Sequence, residues 1–440
     1  MTSMVSSPHR WRRYPSYKPS GVEWLGEVPE GWDVQRMKNL CEIISGQSPN
    51  EETYNSDEDG AILVNGPAEY SENDFGLTRQ LKWTTDPKKW APQSVLLFCL
   101  RGSTTGRLNI THTKLSIGRG VAALVAKDDQ HFLNYLMVAM RDFVLGSANG
   151  STFPSVTSEN LGLYPICHPS IPEQTAIATF LDRETARIDA LIAKKERQIE
   201  LLQEKRATLI SHAVTKGLDP NSSYKSSGLE WIEHIPKYWQ KIKLSHITTE
   251  IGDGLHGTPD YVDESPYHFI NGNNLSNGSI KITESARCVN ADEFQKYIIK
   301  LDDSTLLMSI NGTIGSVAYY QGELIILGKS AAYINCGKLI SRKYLFYLFQ
   351  STQLLNYFMS HATGTTILNL SLETIRNLQV TLPPLKEQQE IVSFLDNESS
   401  QINVIIKKIQ ESIDKLLEYR SVLISAAVTG KIDVRQEAKA

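Results

Sequence analysis

Polar, glycine-rich turns hold most of the side chains in this sequence that could do chemistry. Four are Ser45-Gly46-Gln47-Ser48-Pro49, Asn65-Gly66-Pro67, Gly254-Leu255-His256-Gly257-Thr258-Pro259 and Asn271-Gly272-Asn273-Asn274. Arg101-Gly102-Ser103-Thr104-Thr105-Gly106 is loosely echoed by Asn311-Gly312-Thr313-Ile314-Gly315, and Gly150-Ser151-Thr152-Phe153 by Gly364-Thr365-Thr366-Ile367. Arg107, Arg119 and Lys329 add positive charge beside such turns. Side-chain amides can bond an adenine edge through two contacts, and an arginine can do the same with guanine. Backbone N–H groups of glycine loops can approach phosphates. The candidate DNA-contacting set is therefore Gln47, Ser48, Asn65, Arg101, Ser103, Thr104, Arg119, Ser151, Thr152, His256, Thr258, Asn271, Asn273, Asn274, Asn311, Thr313, Lys329, Thr365 and Thr366. Taken singly, each turn is equally ordinary turn chemistry.

Catalytic patterns are missing. No [DN]-P-P-[YF] motif for a flipped base occurs, and Leu382-Pro383-Pro384-Leu385 has the wrong flanks. No G-x-G-x-x-G follows a strand. Gly322 to Ser330 resembles a phosphate loop but has one residue too many between its glycines, and its apolar interior reads as a strand. The five cysteines (Cys41, Cys99, Cys167, Cys288, Cys336) lie far apart, and the ten histidines show no H-E-x-x-H spacing. Neither a catalytic centre nor a metal site is expected, and the cysteines read as small buried apolar groups.

The elements that must position those turns form a repeat. The chain has 440 residues, enough for two or three domains. Tyr17-Lys18-Pro19-Ser20-Gly21-Val22-Glu23-Trp24 returns as Tyr224-Lys225-Ser226-Ser227-Gly228-Leu229-Glu230-Trp231, and Pro29 and Trp32 return as Pro236 and Trp239. Glu173-Gln174 through Phe180-Leu181-Asp182 matches Glu387-Gln388 through Phe394-Leu395-Asp396. From Gly150 onward the copies align without a gap, with roughly 20 identities over about 50 helical positions. The middles of the halves diverge. Similar frames with different inserts suggest one scaffold presenting two recognition surfaces, although duplication with drift would leave the same trace. Val428-Thr429-Gly430-Lys431 parallels Val214-Thr215-Lys216-Gly217, after which the chain enters the second Tyr-Lys motif. The N-terminus therefore reads as the continuation of the C-terminus, with the ends close in space.

Residues 172–215 and 386–429 read as long helices. Leu181, Ile188, Leu202 and Leu209 recur at heptad spacing with Ile192 and Ile199 in a companion row. In the second copy Leu395, Ile402, Ile409, Leu416 and Leu423 recur with Ile406 and Ile413. Alternating four and three is the spacing of a coiled-coil seam. Pairing the helices antiparallel would place one variable domain at each end. About 30 core residues span roughly 45 Å, comparable with the 34–36 Å or so between half-sites one DNA turn apart. The fold expected is α+β: two pseudo-repeated, mixed β-rich target-recognition domains separated by two long antiparallel coiled-coil helices in a circular, pseudo-two-fold arrangement. The boundaries are 1–29 (lead-in segment), 30–168 (first recognition domain), 169–217 (central spacer helix), 218–239 (linker and second lead-in motif), 240–382 (second recognition domain) and 383–440 (C-terminal spacer helix and tail). Short helices are expected near 131–145 and 341–358, the second carrying a core aromatic stripe of Tyr344, Phe346, Tyr347, Phe349, Tyr357 and Phe358.

Composition bounds the setting. Hydrophobic residues make up 41% and charged residues 21%, as in a soluble globular protein. Val95 to Leu100 is among the longest apolar runs and is far too short to span a bilayer. Arg10, Arg12 and Arg13 are followed by no apolar stretch, so a cytoplasmic protein without a secretory leader or membrane contact is expected. The net charge of −4 opposes a free-standing nucleic-acid binder, unless cations cluster locally or partners supply phosphate contacts.

With these features in hand, the sequence resembles the specificity (S) subunits of type I restriction-modification systems over essentially its whole length. The resemblance is carried by residues 20–29 and their copy at 227–236, the turn 311–315, and Leu382-Pro383-Pro384-Leu385-Lys386-Glu387-Gln388-Gln389-Glu390-Ile391 leading into a long helix. The first copy, 168–174, keeps Glu-Gln but lacks the double proline. The resemblance implies a non-catalytic subunit in defence against foreign DNA. It would read a bipartite asymmetric site in double-stranded DNA, one half per recognition domain, with the helices setting the gap. It further implies two methylation subunits and, for cleavage, two motor-nuclease (restriction) subunits. This chain would hold no cofactor; S-adenosylmethionine, ATP and Mg2+ would belong to the partners. Arg101 departs from Asn311 at the matching turn, in keeping with two different half-sites. The alternatives are a stand-alone DNA-binding or scaffolding protein, which would hold duplex DNA without partners, and a methyltransferase acting alone, which would be active with S-adenosylmethionine.

Overall fold

Each half begins with the same hairpin. Tyr17–Pro19 pairs with Glu27–Pro29, and Tyr224–Leu229 with Ile232–Pro236, placing Tyr17 opposite Pro29 and Tyr224 opposite Pro236. The repeated tryptophans tie these hairpins to the strand that feeds each long helix. Trp24 Nε1 donates to the Pro165 carbonyl (3.2 Å) and Trp231 Nε1 to that of Gln379 (2.9 Å). Those strands, Pro165–His168 and Gln379–Leu382, pair antiparallel with Asp33–Arg36 and Gln240–Lys243.

The computed structural model of the chain describes residues 11–147, 155–283 and 286–437. They divide into two compact units, Met1–Lys194 with Glu411–Ala440, and Lys195–Gln410. In the first unit a four-stranded antiparallel sheet has the order Leu108–Ile110, Leu96–Cys99, Val121–Ala126, Cys41–Ser45. A five-stranded sheet follows the order Tyr54–Asn55, Trp83–Thr84, Ala61–Val64, Leu115–Ile117, Trp90–Ala91, its third and fourth strands parallel. The second unit repeats the plan. One sheet has the order Val317–Tyr319, Thr305–Ser309, Ala331–Cys336, Thr248–Asp253. The other has the order Tyr261–Val262, Cys288–Val289, Tyr267–Ile270, Ile325–Leu327, again with its last two strands parallel. The mixed α+β architecture expected from the sequence is present in both units.

The central strands are buried and largely apolar because both faces are covered; Thr305, Ser309 and Asn335 are the polar exceptions in the second unit. Alternate residues of a strand point to opposite sides. Leu96, Phe98, Ala122 and Leu124 join the core under the helices, while Leu97, Cys99, Val121 and Ala123 join the core against the second sheet. In the second unit Leu306, Met308, Ala332 and Ile334 face one way and Leu307, Ala331 and Tyr333 the other. Helices Gln130–Ala139 with Arg141–Gly146, and Arg342–Phe349 with Thr352–His361, cover the first of these faces. In the second pair Tyr344, Phe346, Tyr347, Phe349 and Phe358 are buried and Tyr357 half-buried, so the aromatic stripe is core. The segment between Gly322 and Ser330 contains the buried strand Ile325–Leu327, with no open phosphate cradle. Four cysteines are buried and Cys288 half-buried, all as free thiols; burial pushes Cys41, Cys167 and Cys336 up to about 12.

The long helices run Ile171–Lys216 and Leu385–Val428, within a residue of the expected bounds. Neither has an interior glycine, and the only proline, Pro172, sits in a first turn, where its missing N–H has no helical partner to lose. Gly217 and Gly430 follow their C-terminal ends at φ +76° and +72°, the left-handed cap conformation. Leu181, Ile188, Leu395, Ile402, Ile413 and Leu423 are buried. Ile192, Ile199, Leu202, Leu209, Ile406, Ile409 and Leu416 are half-buried. The coiled-coil rows thus face inward throughout. In the first unit Arg183 Nη1 donates to the Glu437 carbonyl (2.8 Å) and, further along the same helix, Asp189 accepts two bonds from Arg420 (2.9 and 3.3 Å). In the second, Arg206 Nη1 donates to Asn403 Oδ1 (2.8 Å) and the Val214 carbonyl accepts from Thr381 (3.4 Å). The helix segments inside each unit are therefore antiparallel.

The expected meeting of the chain ends is present in the first unit. The Asp433 N–H donates to the Arg12 carbonyl (2.7 Å), Arg12 Nη1 to Gln436 (2.9 Å), and Lys431 Nζ to the carbonyls of Leu25 (2.8 Å) and Glu27. Arg435, hydrogen-bonded to Asp433 at 2.9 and 2.6 Å, holds that carboxyl below its usual range. A carboxylate with a depressed folded pKa stabilises above its unfolded pKa, and that stabilisation is lost as pH falls through the folded value. Thermal unfolding followed from pH 7 to pH 2.5 should show a loss of Tm below about pH 4, and Asp433→Asn should reduce that pH-dependent loss.

Candidate nucleic-acid interface

The positions of the turns follow from the parallel strand pair in each unit. In the first, Ala61–Val64 runs into Asn65 and Leu115–Ile117 into Gly118-Arg119. In the second, Tyr267–Ile270 runs into Asn271 and Ile325–Leu327 into Gly328-Lys329. Parallel neighbours end on the same side, so both loops emerge together. The Gly118 N–H donates to the Val64 carbonyl (2.9 Å), and that of Gly328 to the Ile270 carbonyl (2.8 Å). The outer strand of the four-stranded sheet brings a third loop: Gln47 N–H donates to the Ile117 carbonyl (2.9 Å), Leu255 N–H to that of Leu327 (2.7 Å). A side chain at Gly118 or Gly328 would overlap the amide oxygen of Asn65 or Asn271. One at Gly46 or Gly254 would overlap the carbonyl of Gly118 or Leu327. These glycines are set by close approach of backbone to its neighbours.

A fourth loop adjoins through the next strand. Leu100 N–H donates to the Gly120 carbonyl (2.8 Å) and Ile310 N–H to that of Ser330 (3.0 Å), placing Arg101 and Asn311 beside Arg119 and Lys329. Arg101 makes a β-bridge with Ser155, and Asn311 one with Asn369. Thr365 and Thr366 are exposed in the loop closed by Thr363 and Asn369, next to Asn311. Their counterparts Ser151 and Thr152 lie outside the described residues.

The candidate side chains separate by what they already touch. Ser48 Oγ donates to Asn65 Oδ1 (2.8 Å) and accepts the Arg119 N–H (3.1 Å); Ser330 Oγ donates to Asn271 Oδ1 (2.9 Å) and accepts the Gly272 N–H (2.9 Å). Asn274 is buried: its oxygen accepts the Asn271 N–H (2.9 Å) and its amide donates to the Lys281 carbonyl (3.2 Å), so it holds the turn from within and faces no ligand. Glu69, absent from the sequence-based set, does the same, accepting the Gly66 N–H (3.0 Å). The pairing of Asn65-Gly66 with Asn271-Gly272 was also missed; an Asn-Gly pair ending an apolar run in each half was its signal. His256 is bonded to Asp253 (2.7 Å) and Thr313 to Ser309 (3.0 Å); Thr104 Oγ1 lies 3.6 Å from the Cys99 sulfur. Gln47, Arg101, Ser103, Arg119, Thr258, Asn273 and Lys329 are exposed.

A further repeated set, legible in the sequence only as matching letters, fixes the domains to the helices. Glu173 accepts from Tyr14 (2.7 Å); Glu387 accepts from Tyr238 (2.9 Å) and Trp239 (3.0 Å). Gln174 and Gln388 donate to the carbonyls of Pro169 (3.1 Å) and Pro383 (2.9 Å). Asp182 and Asp396 accept from Tyr135 (2.8 Å) and Tyr347 (2.6 Å), whose phenols burial pushes well above their ordinary value.

Comparison with known proteins decides the family. The model of the type I restriction modification DNA specificity domain matches residues 29–201 and again 236–415, one match per repeat. The chain belongs to this family. Its role is that of the DNA-recognition, non-catalytic component of a type I restriction-modification system. The MjaVIII specificity subunit of Methanocaldococcus jannaschii is 24% identical over 426 residues, covering 93% of this chain and 94% of that one. The EcoKI specificity subunit of Escherichia coli K12 is 20% identical over 442 residues, covering 94% and 92%. A solved chain from work on complex assembly and conformational transition of the type I R-M system superimposes with a TM-score of 0.67 at 15% identity, covering 91% of this chain and 98% of that one; it supports the fold. Among the described residues of this specificity subunit, no helix is long and apolar enough to cross a membrane, and no group of side chains could hold a metal ion.

The turn chemistry separates structure from recognition. Asn274→Ala should lower the unfolding free energy by about 1–3 kcal/mol, the cost of leaving a buried partner unsatisfied. The exposed Asn273→Ala should stay within about 0.5 kcal/mol of the parent. Urea unfolding of the two variants checks both.

Proposed function

We propose that each unit reads one half of a bipartite, asymmetric site in double-stranded DNA, and that the two long helices set the number of base pairs between the halves. The observation carrying this reading is the double occurrence of one loop cluster, with a cation at the same place in each (Arg119, Lys329) and different residues around it. Phosphate contacts supply affinity and salt dependence, while groove contacts supply sequence choice. The net charge of −4 argues that partners share the work of neutralising phosphate. We infer two methylation subunits and, in the cleaving complex, two motor-nuclease subunits, with S-adenosylmethionine, ATP and Mg2+ held by those partners in the cytoplasm.

Two experiments test this. Single-molecule sequencing of DNA from cells expressing the chain with its methylation subunit should show a new bipartite methylated motif, absent without the chain. A soluble complex that adds no motif would favour a scaffolding role. Removing one heptad from each long helix shortens it by about 10 Å, the rise of about three base pairs. The same mapping should then report a changed gap or no methylation; an unchanged gap would sink the ruler.

A further inference from the structure

The strand-end residues of the two units fall into two classes. Arg119 and Lys329 occupy the same place, after the second parallel strand, and both are exposed cations. Arg101 and Asn311 also occupy one place, after the strands Leu96–Cys99 and Thr305–Ser309 of the equivalent sheets, but differ in charge and shape. A contact to phosphate meets the same group at every step of a duplex, so two units reading different sequences can keep the same residue for it. A contact to a base edge must change when the base does.

Local bonding supports the division. Asn65 and Asn271 are tied to Ser48 and Ser330, and Asn274 is buried. The side chains of Arg101 and Asn311 make no hydrogen bond or ion pair among the described residues, although their backbones are pinned by β-bridges to Ser155 and Asn369. A side chain carried on a fixed backbone and left without an internal partner is suited to meeting a ligand. The next residues, Gly102 and Gly312, hold φ of +89° and +74°, and a Cβ on either would meet nothing within 4 Å. Among the described residues nothing crowds a side chain at either glycine, so the glycine is required by backbone conformation alone.

We propose that Arg101 and Asn311 are matched specificity-determining residues, Arg101 donating to N7 and O6 of a guanine in one half-site and Asn311 pairing with N6 and N7 of an adenine in the other. Arg119 and Lys329 are the accompanying phosphate anchors. The inference rests on the DNA-reading function proposed above and adds the identity of one base to each half-site.

The test is methylation mapping in cells expressing the full chain with its methylation subunit, comparing the parent with Arg101→Asn, Asn311→Arg, Arg101→Lys and Arg119→Ala. The parent motif should hold a guanine in one half and an adenine in the other. Arg101→Asn should change or relax that one guanine, by about 5- to 150-fold in discrimination, and leave the other half-site as it was. Asn311→Arg should do the same to the adenine of the other half alone. Arg101→Lys keeps the charge but lacks the planar fork, and should relax the same guanine. Arg119→Ala should lower methylation at all sites without altering the motif. The proposal is overturned if the Arg101 and Asn311 variants keep the parent motif, whether methylation is undiminished or falls evenly over all sites. A variant that loses the soluble complex is a folding loss, and the decision then passes to the other substitutions at these two positions. If the parent chain adds no bipartite motif, the DNA-reading function itself fails, a result separate from an unchanged motif in the variants.

Discussion

Each unit depends on a four-stranded sheet that is dry on both faces. Leu96 and Phe98 are sealed on one side, Leu97 and Cys99 on the other, and the strand between Ala331 and Cys336 is buried at all six positions. The polar side chains that do lie there are bonded, as Thr305 is to Asn335 (2.6 Å); one without such a partner would lose its water uncompensated. Chemistry is thereby driven off the strands and onto their ends, where the chain must turn and the backbone is wet. The two parallel neighbours in the second sheet decide which ends gather, since only strands running the same way deliver their loops to one side. The gathering of the candidate loops is thus a by-product of core exclusion combined with strand direction.

Much of this was legible in the sequence. The long helices were marked by heptad rows, by the lack of interior glycine and by glycines just beyond their ends, and the structure reproduces them within a residue. The aromatic run from Tyr344 to Phe358 is core because it recurs at helical spacing on an amphipathic segment. The order of strands was not legible. Leu63 lies beside Ser116 and Phe269 beside Ile326, pairings that span more than fifty residues and leave no periodic trace between them. The candidate site was half legible for a related reason. Residue type identified amides and hydroxyls in turns, but Asn273 and Asn274 are adjacent and alike in sequence; only the turn geometry sends one outward and buries the other.

The Glu-Gln repeat, part of the family resemblance, and the Phe-Leu-Asp repeat do not belong to the candidate loop cluster. Glu173, Gln174 and Asp182, with Glu387, Gln388 and Asp396, bond the start of each helix to residues flanking the hairpin, to the turn before the helix and to the short helices of its own unit. Apart from the exposed Tyr238, their bonds are to buried tyrosines, tryptophan and backbone carbonyls, where a lost partner is costly. The exposed side chains of the candidate loops are under no such constraint, and the two halves share their joints and differ in their tips.

The non-covalent joining of the chain ends bears on how the molecule is made. The second unit is one uninterrupted stretch, complete once Gln410 has been added. The first needs Asp433 to reach back to Arg12, and its core takes in Ile424, Ala427, Val428 and Val434. At about 5–20 residues per second of synthesis, the N-terminal sheets wait on the order of tens of seconds, their helix-facing surface short of the last layer, until the segment through Val434 leaves the ribosome. The domain translated first is therefore the one finished last, and the exposed apolar face of that waiting intermediate is where a chaperone would be most needed.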